Sequence, residues 1–410
     1  MPAYDVVVVG GGPIGAVAAC HAAAVGARVL LVEQGEGTGE PARCTGLVSP
    51  RTLELLEVSS VSLLREIRGG ILHAPNGRTV ELRANTVKAV VLNRGRLNRE
   101  LIESAIDAGV DVRTRTRAVA AAAGWVRIEH LGKEETLQAG VIIGADGPRS
   151  SIASWFSLPG PRQFLSASQA VVEGPPRFSD GVEVFFGRDV APGFFAWVVP
   201  AEEDHQRVGL ASPLGNDTET FLNRFLAQCV PGKVVARIGG VIPIGTPSIT
   251  VGDGVLLVGD AAGQVKPTSG GGIYTGGTCA RIAGKIAGCA ALAGQITRQT
   301  LVEYERRWRS ELGRELRFGL AAHRVLAALS DSEIDAVLAA LDDPSIIRVI
   351  AEEGDIDHPS RLFRSFLSRQ SMWHRVLTLV PAFGGWKRVE ELARLAVVRD
   401  HANVYNANGT

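Results

Sequence analysis

Three groups of residues in this sequence are of types and spacings that do chemistry. The first is Gly10, Gly12 and Gly15, spaced as GxGxxG after a valine-rich run and followed, across an alanine-rich stretch and a second apolar run, by Glu33. In that pattern Gly10 permits a tight turn, Gly12 lets backbone N–H groups approach a pyrophosphate, and Gly15 lets a helix pack closely on a strand. The helix start adds partial positive charge, and Glu33 stands where a carboxylate accepts ribose hydroxyls. The second group is Arg43-Cys44, a thiol beside a guanidinium in the loop that leaves this unit. A nearby cation favours the thiolate, although a small half-buried loop cysteine fits the same residues. The third is Arg94, at a junction between a strand and a helix, where it can reach a phosphate or ribose or simply stand on the surface.

These residues need particular elements to hold them. Residues 4 to 33 read as strand, glycine turn, helix and strand, a complete dinucleotide-binding unit. Residues 71 to 82 alternate around Asn76-Gly77, the strongest short signal for a tight hairpin. Leu97, Leu101 and Ala105 share one face of a helix expected over 97–108. A short strand at 111–116 and an irregular hairpin around Gly124 lead to a strand at 141–143 that ends in Gly144-Ala145-Asp146-Gly147, with Ser150 beyond. Between 160 and 245 the pattern is of alternating strands, at 182–186, 194–199 and 206–211, with aromatic residues Phe185, Phe186, Phe194, Phe195 and Trp197 that suit an apolar ligand. A further strand ends in Gly259-Asp260, and Ser269-Gly270-Gly271-Gly272-Ile273 opens a small-residue helix. Beyond residue 300, Tyr304, Trp308, Leu312, Leu316 and Leu320 repeat every four residues among paired arginines and glutamates, as on a helix packed on one side.

Composition excludes several classes. The 410 residues carry 43 basic and 43 acidic side chains, so there is no polyelectrolyte signature for nucleic acid. Five scattered cysteines without CxxC spacing argue for a reducing compartment and against structural zinc or a disulfide framework; no metal site is expected. No stretch reaches the roughly 18 apolar residues of a spanning helix, so the expected location is cytoplasmic, with peripheral contact at the inner face of the membrane left open. Phe363, Phe366, Trp373, Leu377, Leu379, Phe383 and Trp386 are the residues that would form a lid or lipid entrance there.

The GADG strand end together with the first unit resembles the flavoprotein hydroxylase superfold, which binds FAD. That resemblance puts Asp146 near the pyrophosphate, against the alternative of an Asp-Gly turn with a capping Ser150, and lets Asp260 accept from ribitol hydroxyls. It implies an α/β protein. A discontinuous Rossmann-type FAD-binding domain would take residues 1–68, 90–160 and 246–298, an antiparallel-sheet substrate domain residues 69–89 and 161–245, and a helical C-terminal domain residues 299–410.

The run from Pro192 to Pro200, followed after eight residues by Gly209-Leu210-Ala211, resembles the substrate signature of the geranylgeranyl reductase family, Pro-x-x-Tyr-x-Trp-x-Phe-Pro and then Gly-x-Gly. Phe195 replaces Tyr, Val199 replaces Phe and Ala211 replaces the last Gly. The cysteine loop, the stretch from Gly259 through Pro267 to Ile273, and the tail segment Gly354-Asp355-Ile356-Asp357-His358-Pro359-Ser360 are similar to the archaeal-type members, which saturate isoprenoid lipid chains. The resemblance implies flavin contacts at Pro13, Gly15, Glu33, Arg43, Cys44, Arg94, Ala118, Asp260, Gly272 and Ile273. It implies substrate contacts at Phe195, Trp197, Pro200 and Gly209, and a change of helix cap at Asn98, where the family carries Asp. The implied reaction adds a hydride from reduced flavin and a proton across an isolated C=C bond, with Cys44 as proton donor or as a hold on the flavin. The partners implied are an isoprenoid lipid and an external electron donor, whether a ferredoxin, NAD(P)H or a quinol. Two other classes share the superfold. One is a flavin monooxygenase or halogenase, since the run from Phe195 to Pro200 distantly matches the halogenase pattern Trp-x-Trp-x-Ile-Pro without its first Trp. The other is an electron-transfer flavoprotein, although iron–sulfur cysteine spacing is missing.

Overall fold

The computed structural model describes residues 3–36, 44–202, 204–369 and 385–397. The chain opens with β1 (Tyr4–Val9), α1 (Pro13–Ala23) and β2 (Val29–Val32). It continues through β3 (Leu47–Val48), α2 (Arg51–Leu56), β4 (Leu63–Ile67), β5 (Gly69–His73), β6 (Thr79–Arg83), β7 (Ala89–Leu92) and α3 (Arg94–Asp107). Next come β8 (Asp111–Arg113), β9 (Thr116–Ala122), β10 (Trp125–His130), β11 (Lys133–Gly144) and α4 (Ser151–Trp155). A second β region holds β12 (Gln163–Glu173), β13 (Gly181–Phe185), β14 (Ala196–Pro200), β15 (His205–Pro213), α5 (Thr218–Cys229) and β16 (Lys233–Ile244). After β17 (Val251–Gly252) and β18 (Val255–Leu257), the described chain is helical: α6 (Ile273–Leu292), α7 (Arg298–Ala328), α8 (Asp331–Leu341), α9 (Pro344–Glu353), α10 (Pro359–Ser368) and α11 (Trp386–Val397).

The first sheet has the order β17-β18-β11-β1-β2-β8, with the β9-β10 hairpin attached to β11. Val6 to Val9 are buried and pair in parallel with β11 on one side and β2 on the other, which is why they read as an unbroken valine run. β11 serves two structures. Its exposed first half pairs antiparallel with β10 and its buried second half pairs in parallel with β1 and β18. The strand expected at 141–143 is therefore the end of one twelve-residue strand. The strand expected at 111–116 is broken at Arg115, whose φ of 51° turns the chain between β8 and β9.

α6 lies against α1. Its glycines set the distance: a Cβ on Gly284 would sit 2.3 Å from the carbonyl oxygen of Ala18. α7 covers the same domain with Leu301, Tyr304, Trp308, Leu312 and Leu316, all buried, while Leu320 is half-buried. Tyr304 fixes the end of β18 through its Oη, which donates to Leu257 O at 2.8 Å and accepts from Gln264 Nε2 at 2.8 Å.

The second sheet runs β16-β12-β15-β14-β13-β5-β6, antiparallel except where β13 lies parallel to β5. Its two faces do different work, and the period of two sorts the residues between them. Ala170, Val172, Ala196, Val198, Val208 and Leu210 pack against Leu222 and Phe225 of α5. Gln169, Val182, Val184, Trp197 and Val199 lie on the opposite face. The aromatic set is thereby divided. Phe185 stacks on His73 at 3.9 Å and meets Phe225 on the α5 side, Phe194 is buried, and Phe195 and Trp197 face a cavity.

Candidate functional site

Three cavities lie in a row, each sharing residues with the next. The first, about 570 Å³, is bordered by Gly10, Gly12, Glu33, Ala118 and Asp146. The second, about 470 Å³, shares Gly12 and Glu33 with it and adds Pro13, Gly15, Cys44, Arg94, Asn98, Asp260, Gly272 and Ile273. The third, about 290 Å³, shares Cys44 with the second and is walled by Phe195, Trp197, Val199, Val182 and Val184.

The glycine turn is built for close approach. A Cβ on Gly15 would lie 1.9 Å from Gly10 O, so α1 can pack here only on glycine, whereas a Cβ on Gly12 would meet nothing within 4 Å because that Cα faces the groove. Pro13 occupies the first turn of α1, behind Gly12 as N-cap. Glu33 is held by two backbone donors, Gly11 N to Oε2 and Gly35 N to Oε1, both at 2.7 Å, which leaves each oxygen a further lone pair toward the groove. Asp146 is committed differently. It accepts from Ser150 Oγ at 2.6 Å, Ser151 N at 2.7 Å and Ile152 N at 3.2 Å, so it braces the start of α4 beside Ser150, the N-cap, whose Oγ accepts from Ala153 N at 2.9 Å, while bordering the first cavity.

Arg94 begins α3 and is 7% exposed, and its Nε and Nη1 have no protein partner. A buried guanidinium in that state calls for an anionic or oxygen-rich ligand. Asp260 stands across the groove. Part of its surface opens into the cavity, but the group lies deep in the protein, and burial pushes its carboxyl up to about 6 while the Arg94 charge draws it back down. Gly272, the N-cap of α6, brings that helix start against it; a Cβ there would be 3.1 Å from Asp260 Oδ1. Asn98 is not the cap of α3. Asn93 is, accepting from Arg96 N at 3.0 Å, and Asn98 is a buried residue bordering the groove.

Cys44 stands at the seam between the second and third cavities. Its Sγ accepts from Gly46 N at 3.4 Å. Arg43, its sequence neighbour, lies outside the described residues, as do Trp373, Leu377, Leu379 and Phe383. Phe363 and Phe366 are half-buried in α10, with Phe363 against Phe318 at 5.6 Å.

Residues that the motifs do not single out hold this loop. Gln169 Oε1 accepts from Thr45 Oγ1 at 2.7 Å and from Trp197 Nε1 at 3.2 Å, which ties the cysteine loop to the aromatic wall. Arg207 Nη1 donates to Thr45 O at 2.6 Å and Leu92 O at 3.0 Å. Burial lowers the Arg207 pKa, opposed by Glu202 and by Cys44. The only sequence signal for either was a polar residue at an inward position of a strand. Of the four expected substrate contacts, Phe195 and Trp197 line the third cavity. Gly209 supports Trp197 from below, since a Cβ there would lie 2.6 Å from Trp197 Cζ2, and Pro200 is buried at the end of β14. Two departures from the family signature, Phe195 and Val199, fall on the cavity wall, and Ala211 is buried.

Residues 3–241 match the family model described as FAD binding domain. Digeranylgeranylglycerophospholipid reductase 2 of Methanothermobacter thermautotrophicus is 34% identical over 383 residues, spanning 88% of this chain and 98% of the relative. The chain belongs to the digeranylgeranylglycerophospholipid reductase family. Solved structures confirm the family's fold. A geranylgeranyl bacteriochlorophyll reductase-like protein from Thermoplasma acidophilum superposes with a TM-score of 0.82 at 23% identity, over 96% of this chain and 99% of that one. A myxobacterial chondrochloren halogenase superposes at 0.65 with 21% identity, over 96% of each chain. The cofactor of the family groove is FAD, and the groove's residues fit it: open backbone at Gly12, an unpartnered buried cation at Arg94, an acceptor at Asp260 and the small-residue start of α6.

Proposed function

We propose that this protein is an FAD-dependent reductase that saturates C=C bonds of a geranylgeranyl-type isoprenoid chain carried on a lipid. The observation that carries the reading is the continuity of a polar, glycine-rich groove with an apolar aromatic cavity along a shared border formed by Cys44, Val241, Ile242 and Gly270. Bound FAD supplies, when reduced, the hydride for the reaction.

Gly12, Pro13, Gly15, Glu33, Arg94, Asp260, Gly272 and Ile273 would hold the cofactor, with Gly10, Ala118 and Asp146 along the first cavity. An isolated alkene presents no charge to grip, so Phe195 and Trp197 orient the chain by shape and keep water away from it. Cys44, which lines both cavities, would hold the cofactor beside the aromatic one, and Gln169 and Arg207 hold Cys44's loop. Reducing equivalents come from a separate donor: a ferredoxin, NAD(P)H or a quinol. Since such lipids reside in the bilayer, the protein takes its substrate at the inner face of the membrane; among the described residues no helix is long and apolar enough to cross it.

The test is anaerobic. FAD-loaded protein is reduced with dithionite, a geranylgeranyl glycerophospholipid is added, and flavin reoxidation is followed with mass spectrometry of the lipid. The expected result is reoxidation with two hydrogens gained per saturated bond. A flavin that stays reduced until air is admitted rejects the reading and favours an oxygen-using member of the fold.

A further inference from the structure

An apolar cavity is an expensive place for an ammonium group, yet Lys266 lines the one beside Cys44. Its side chain is 9% exposed, and Nζ donates to Asp357 Oδ1 at 2.7 Å, where Asp357 has no exposure at all. Asp357 Oδ2 is buried without a partner, so the carboxylate is engaged on one side only. The lysine reaches this place past Gly271, where a Cβ would lie 3.1 Å from Cε and 3.6 Å from Nζ. The loop closes on itself behind it: Lys266 N donates to Gly271 O at 3.0 Å, and Gly270 N donates to Lys266 O at 2.8 Å. The loop is therefore fixed, and Nζ is held at the cavity wall by Asp357.

A pair needed only to tie this loop to the segment before α10 gains little from burial, because a well-packed apolar pair is usually as stable. What the ammonium adds to the cavity wall is a proton. Of the side chains lining this cavity, Lys266 and Cys44 are the two whose protons enzymes commonly move. Cys44 accepts from Gly46 N through a sulfur lone pair, which leaves its S–H free, so the two donors are separated by the Lys266 variants below.

We propose that Lys266 is the general acid of the reduction, with Asp357 as its counter-ion. This rests on the alkene-reductase reading. As one alkene carbon takes the hydride, the π pair forms a C–H bond at the other with the proton on Nζ. The N–H bond breaks, its electron pair stays on nitrogen, and the neutral amine regains a proton from solvent after the product leaves. The alkene is reduced, and the two-electron donor, reduced flavin, is oxidised.

Lys266→Arg separates proton donation from ion pairing, because a guanidinium keeps the charge and the contact to Asp357 but does not release its proton in a protein. The variant is expected to retain FAD and to show the wild-type lipid-induced change in flavin absorbance, while single-turnover saturation of a geranylgeranyl glycerophospholipid falls about 100-fold. Lys266→Met combined with Asp357→Asn, which leaves no buried charge, is expected to do the same. Turnover of either variant within about threefold of wild type, with the lipid bound, overturns the assignment. Loss of bound FAD from both variants makes the pair a structural tie and overturns it too. Wild-type protein that binds FAD and lipid yet leaves the lipid unreduced rejects the alkene-reductase reading instead.

Discussion

The groove that fits FAD and the cavity beside it are lined in opposite ways. The groove uses backbone and charge: glycines that expose N–H groups, a buried guanidinium at Arg94, a carboxylate at Asp260. The cavity uses mostly apolar side-chain surface, with Phe195, Trp197 and four valines, interrupted by Gln169 and Lys266. A pyrophosphate is recognised by fixed dipoles, which need short, ordered sequence spacings. An alkene chain is recognised by shape, which strands distant in sequence can supply together. The two regions should therefore fail differently when altered.

The largest effect is expected in the groove. Arg94→Met removes a charged donor that has no protein partner, so FAD affinity measured by titration of the FAD-free protein should weaken about 100-fold. The FAD-free protein itself should melt no lower, because buried N–H donors without a hydrogen-bond partner have gone. A lower melting temperature with unchanged FAD affinity would make Arg94 a structural residue.

On the cavity side, Gln169→Leu deprives Thr45 and Trp197 of their common acceptor. Retention of FAD should be unchanged, while the rate of lipid saturation falls about tenfold. Equal losses in both would mean that the two regions form one unit.

A separate effect is a pH dependence of stability. Burial raises Asp260 from 3.8 to about 6 in the folded FAD-free protein. The folded state thus holds this proton more tightly than the unfolded chain. The resulting stability is complete below about pH 3.8 and is lost as pH rises through about 6. Melting curves of FAD-free wild type and Asp260→Asn should diverge across that window, with the wild type losing ground as pH rises. Parallel curves would show that the carboxyl is not desolvated.

Legibility in the sequence follows the same division. The glycine turn and Glu33 sit at strand ends and a helix start, where chain geometry forces residue type; Arg94 reads equally well as a surface arginine, and Asp260 and Gly272 are singled out only through the resemblance. The Asn76-Gly77 signal does mark the connection from β5 to β6, but the turn is wider than a two-residue one: Gly77 N donates to Ala74 O at 3.0 Å and only Gly77 of the pair takes a positive φ, 87°. β11 was not readable as one strand, because its halves obey different patterns: alternation with exposure in the hairpin, continuous burial in the central sheet. Nor was the division of the aromatic residues, since Phe185 and Phe195 fall on opposite faces only once the strand register is known. The Gln169 and Lys266–Asp357 contacts join segments 124 and 91 residues apart, which no local spacing can show.

The most direct measurement is an anaerobic crystal structure of the FAD-loaded protein with a geranylgeranyl lipid. The account predicts the isoprenoid chain in the cavity between Phe195 and Trp197, with one C=C bond at the Cys44 seam and the flavin's reactive ring on the other side of it. A chain bound away from that cavity, or a flavin ring closed off from it, would contradict the claim that the two regions meet to reduce an alkene.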